Sequence, residues 1–127
     1  MHRIASIPGE DASENLTLIE QPQAPVLLLS SARTDIATIS SVLRLDQFKN
    51  LKGRIRAIPL EYLRTEAQID HYLSTTASRS KIIIIRLLGG KGHWSYGLER
   101  VARWLEEENN RKLIILSGTE DHELELN

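Results

Sequence analysis

The stretch Lys81-Ile82-Ile83-Ile84-Ile85-Arg86-Leu87-Leu88 constrains this chain more than any other. Four consecutive β-branched residues have neither a helical period nor a polar alternation. The segment predicts a central strand of a parallel sheet, over residues 82–87. Such a strand needs partners, and the sequence supplies three. Val26-Leu27-Leu28-Leu29 follows Pro25 and ends at Ser30-Ser31, which predicts a strand over 26–30 buried on both faces. Ile55 to Ile58 is stopped by Pro59, and Lys112 to Leu116 makes a fourth strand.

Helical periodicity fills the gaps between these strands. Ile36, Ile39, Val42 and Leu43 share a face, with Thr34 as the expected N-cap and Asp35 as a first-turn acid. Phe48 to Gly53 reads as polar turn. Thr65-x-x-Gln68 has the spacing of a capping box, ahead of an inward stripe of Ile69, Tyr72, Leu73 and Thr76. After the turn Gly89-Gly90-Lys91-Gly92, Trp94, Leu98, Val101 and Leu105 define a third helix. Glu99 with Arg103, and Arg103 with Glu107, are expected pairs on its outer side.

Strands alternating with helices of this length pair in parallel through right-handed crossovers. The fold class is therefore α/β: a three-layer, flavodoxin- or Rossmann-like parallel sheet in the order 2-1-3-4, with helices on both faces. Arg3–Ile7 and Leu16–Glu20 are expected to form a β-hairpin ahead of it. The expected organisation is an N-terminal hairpin extension over 1–25, the α/β domain over 26–118, and an acidic tail over 119–127 that reads as a linker or a truncated end.

Composition narrows the function. Sixteen Lys and Arg against seventeen Asp and Glu leave a net charge of −1. A chain so balanced is not expected to bind nucleic acid or an anionic membrane surface non-specifically. With no cysteine it can build neither a disulfide scaffold nor a thiolate metal site. The purely apolar runs Val26–Leu29 and Ile82–Ile85 are far too short to span a bilayer, and no signal-peptide core follows Met1. A soluble, cytoplasmic location is the expectation.

In an open parallel sheet, ligands bind beyond the carboxyl ends of the strands where the strand order reverses. For this order the loops there hold Ser30 to Thr34 and Gly89 to Tyr96. The candidate ligand- or partner-binding residues are Arg33, Gly89, Gly90, Lys91, Gly92, His93, Trp94, Ser95 and Tyr96. The glycines would let backbone amides face an anion at a helix start, and Arg33 and Lys91 would add positive charge. The plainer alternative is that the glycines only make the turn while Trp94 and Tyr96 pack.

Sharper motifs fail on spacing. Gly90-Lys91-Gly92 is followed by Ser95 where a dinucleotide fingerprint needs glycine, and no phosphate loop is present. The four histidines have no metal-ligand spacing, and Ser95 has no base at motif distance. No catalytic residue and no metal ligand is expected.

Specific residues do carry a resemblance. Met1-His2-Arg3-Ile4-Ala5-Ser6-Ile7-Pro8-Gly9, Ile19-Glu20-Gln21-Pro22, and Ile85-Arg86-Leu87-Leu88-Gly89-Gly90 with Trp94-Ser95-Tyr96-Gly97-Leu98-Glu99 resemble the amino-terminal end of the large, CobN-type subunit of aerobic cobaltochelatase. That family includes the related H subunit of magnesium chelatase. The resemblance runs in order over essentially the whole chain, although the family's large subunit is many times longer. It implies a parent reaction, ATP-dependent insertion of Co²⁺ into hydrogenobyrinic acid a,c-diamide in cobalamin biosynthesis, using ATP and Mg²⁺. It implies as partners the rest of the large subunit, AAA+-type subunits that hydrolyse ATP, and the corrinoid substrate. The segment itself is expected to bind no cofactor and to be inactive alone. The alternative is a stand-alone α/β binding or assembly module that takes an anionic ligand in the glycine-loop crevice.

Overall fold

The structure, a computed structural model, describes residues 3–6, 17–88 and 94–118. Strands β1 (Arg3–Ser6) and β2 (Thr17–Glu20) pair antiparallel, with Arg3 opposite Glu20 and Ser6 opposite Thr17. The rest follows a β-α rhythm: β3 (Val26–Ser30), α1 (Arg33–Leu43), β4 (Ile55–Pro59), α2 (Glu66–Ser74), β5 (Ile82–Leu88), α3 (Ser95–Glu107) and β6 (Lys112–Gly118). Strands β3 to β6 form one parallel sheet in the order β4-β3-β5-β6. This is the 2-1-3-4 order that the sequence predicts. Leu29 lies between Ile58 and Ile85, and Ile85 in turn aligns with Ile115.

Right-handed crossovers decide where the helices go. The step from β3 to β4 runs one way across the sheet, and the steps to β5 and β6 run the other. Helix α1 therefore covers one face, over β3 and β4, and α2 and α3 cover the opposite one. The core lies under α2 and α3, where Leu27, Leu29, Ile58, Ile83, Ile85 and Leu87 meet Ile69, Tyr72, Val101 and Trp104. Ile19 of β2 joins the same cluster.

The two faces are not equally buried, which corrects the expectation of strands shielded on both sides. Along β5 burial alternates: Ile83, Ile85 and Leu87 are buried, while Ile82, Ile84 and Leu88 are half-buried. The cause is α1, which has no fully buried residue and spans only part of its face.

Local chemistry accounts for most of the element boundaries, and for several departures from expectation. Helix α1 is capped by Ala32 rather than Thr34, without a side-chain bond. Ser30 does the equivalent work, accepting from the Ala32 amide at 3.0 Å and donating to Asp35 at 2.8 Å. Asp46–Leu51 is 3₁₀-helical on either side of a kink at Phe48, not a plain turn, and it precedes Gly53 at φ 86°. The capping box at α2 forms as the spacing predicts. On α3 the buried positions are Gly97, Val101 and Trp104, while Leu98 and Leu105 sit at the core's margin. Glu107 pairs with Arg111 at i+4 rather than with Arg103.

Candidate functional site

The carboxyl ends of β3, β4 and β5 open into a cleft of about 340 Å³ at the point where strand order reverses. Leu60, Leu87 and Trp94 are its apolar wall, and Ser31, Glu61 and Arg64 stand among its polar groups. That volume is at the low end of the roughly 300–1,000 Å³ of small-molecule pockets. It suits a side chain or a small anionic group, not an enclosed macrocycle.

Beside the cleft lies a polar cluster on the α1 face. Ser30 is fully buried and pairs in register with Arg86. Asp35, in the first turn of α1, accepts a hydrogen bond from the Ser30 hydroxyl and lies 3.0 Å from the Arg86 Nε. Ser31 Oγ accepts from the Leu88 amide at 2.9 Å, tying the ends of β3 and β5 together. The Ser30 hydroxyl is thus spent on Asp35 and Ala32 in closing the strand-to-helix turn, and His71, the one histidine among the described residues, is not bonded to it. Among the described residues this cluster positions backbone and shows no activated nucleophile.

The structure places the sequence-predicted residues in different settings. Arg33 is exposed and forks onto Glu61, through Nε to Oε1 at 3.0 Å and through Nη2 to Oε2. The Glu61 carboxylate holds the Arg33 guanidinium above its ordinary value, so its charge is already matched.

Trp94 and Tyr96 each hold a hydrogen bond within the domain. Trp94 is buried and donates from its indole N–H to the Leu63 carbonyl at 2.7 Å, so its ring makes a wall of the cleft. Tyr96 points away from the cleft and donates to Asp70 on α2 at 2.8 Å; Arg100 reaches the same carboxylate at 2.8 Å. Ser95, exposed, begins α3. Gly89, Gly90, Lys91, Gly92 and His93 lie outside the described residues.

Sequence reasoning passed over Arg86 and Arg64. The signal for Arg86 was present: a lone cation inside an isoleucine-rich strand demands a partner acid. Arg64 gave no signal beyond its place after Pro59. Among the described residues no three His, Asp or Glu side chains converge as a metal cage would require, and no helix there is long and apolar enough to cross a membrane.

Comparison with known proteins adds what the geometry cannot. No family model matches the chain, and no solved structure matches it. Two curated proteins do, both described as aerobic cobaltochelatase subunit CobN. The one from Pseudomonas aeruginosa is 26% identical over 109 residues, 84% of this chain. The one from a Sinorhizobium species is 32% identical over 106 residues, 78% of this chain. In each case the match spans 8% of the relative's length. The chain is thus related to one short segment of the cobaltochelatase subunit CobN.

Proposed function

We propose that this chain serves as a non-catalytic α/β domain of a CobN-type cobaltochelatase large subunit, acting in the cytoplasm. The observation that carries the reading is the paired match to two CobN subunits over about four-fifths of the chain. The parent reaction is ATP-dependent insertion of Co²⁺ into hydrogenobyrinic acid a,c-diamide on the route to cobalamin. Separate AAA+-type subunits, using Mg²⁺, hydrolyse the ATP. The cleft's modest volume and its paired charges support a domain that shapes and joins the subunit rather than one that encloses the corrinoid.

Within this reading, Lys91 and His93 on the loop after β5 contact the rest of the subunit or the corrinoid edge. Trp94 contributes its ring to the cleft wall, held in place by its bond to Leu63.

The reading frame beyond Asn127 is the first test. Continuation into a large-subunit polypeptide supports the proposal, and a stop codon there overturns it. The second test is K91A in the complete polypeptide, with subunit assembly and corrinoid binding measured separately. The account expects assembly or binding to weaken while the domain stays folded. If both are unchanged, the loop has no part in either.

A further inference from the structure

The sheet presents a surface that its own helices leave open. Helix α1 spans β3 and β4, and α2 and α3 lie on the other face, so no helix among the described residues covers the β5–β6 half of the α1 face. Apart from Arg86, which faces Asp35, and Lys112 at the start of β6, the side chains there are apolar. Ile84 is half-buried, and Ile114 and Leu116, in register with Ile84 and Arg86, are 44% and 47% exposed.

Among the described strands, none pairs with the outer edge of β6. The Lys112 amide donates inward to Lys81, so by alternation the amides of Leu113, Ile115 and Ser117 point away from β5. Ile115, on the opposite face, is 46% exposed. Exposed edges are ordinarily blunted by charge or proline, yet Leu113 to Leu116 carries neither. β6 has the side chains of an interior strand in an edge position.

A second copy paired through β6 would close both edges but leave Ile114 and Leu116 of each copy open on a shared face. A strand followed by a helix folded back over the face covers edge and face together, which is how parallel sheets are completed. In the matched relatives this stretch is 8% of one long polypeptide, so other segments of the same subunit are at hand. We propose that the β6 edge and the Ile84–Ile114–Leu116 face seat a strand and an apolar-faced helix from elsewhere in a CobN-type large subunit. The proposal rests on the function given above.

Hydrogen exchange on the complete polypeptide that carries this sequence tests it. The Leu113, Ile115 and Ser117 amides are expected to exchange about 100-fold slower than free amides. The double variant I114K/L116K should return them to fast exchange while β3 and β5 stay slow, showing that the sheet itself survives. Fast exchange of these three amides in the wild-type polypeptide overturns the docking proposal alone. Protection that disappears on dilution assigns the surface to a second copy and also overturns it. A reading frame that stops at Asn127 overturns this proposal and the functional reading together.

Discussion

Gly97 shows how a single residue sets the α3 docking. A Cβ at this position would overlap the Trp94 indole, which packs flat against the glycine and bonds to Leu63. G97A is expected to cost about 2–3 kcal/mol, the scale of overpacking a tight core, with urea unfolding as the measurement; an unchanged midpoint would contradict the packing described. Asp70 adds a pH signature. The Arg100 guanidinium holds its carboxyl below the usual carboxylate range, and the Tyr96 hydroxyl adds to this. A carboxyl with a depressed folded value stabilises the fold above its ordinary value of 3.8 and loses that contribution as pH falls through the folded one. D70N should therefore cost about 0.5–1 kcal/mol at neutral pH, since the side chain is half exposed. Its difference from wild type should close in acid. A difference that persists unchanged in acid would assign the effect to shape rather than charge. None of this geometry was legible in the sequence. An aromatic residue beside a glycine turn has the same letters whether it faces a ligand or a core, and only the Leu63 carbonyl and the Asp70 carboxylate decide.

Helix α2 shows the opposite case at the level of elements. Thr65 and Gln68 are three apart, and the capping box follows from that spacing alone. Gln68 does more than cap. Its amide oxygen accepts from the Arg64 and Thr65 amides, and its amide nitrogen donates to the Thr17 carbonyl of β2 at 2.8 Å. T65A is expected to cost about 1 kcal/mol, as lost caps do. Q68A should cost about 2–3 kcal/mol, because it strips partners from three backbone groups and unties the hairpin from α2. Equal costs in thermal unfolding would show that the Thr17 bond contributes nothing. Strand order was equally legible, because alternating apolar runs and helical periods admit few topologies. The incomplete cover of the α1 face was not. The Ile36, Ile39, Val42 and Leu43 stripe predicts an inward face, but it does not say how many strands that face must span.

At the scale of the whole molecule, the two faces of the sheet are covered unequally by the described helices. Leu27, Leu29, Ile83 and Ile85 make a buried core under α2 and α3, whereas on the other face Ile114 and Leu116 of β6 stand exposed, beyond the reach of α1. The docking proposed above would complete this sheet with other polypeptide, and the match spans only 8% of each relative. The proposed function makes the chain part of a cobalt-inserting large subunit. The most direct measurement is cobalt incorporation into hydrogenobyrinic acid a,c-diamide, followed by the change in corrin absorption. The assay uses the complete polypeptide carrying this sequence, AAA+-type partner subunits of proven activity, ATP, Mg²⁺ and Co²⁺. The account predicts insertion that depends on both ATP and this polypeptide; partners that support another large subunit but give no insertion with this one would contradict it.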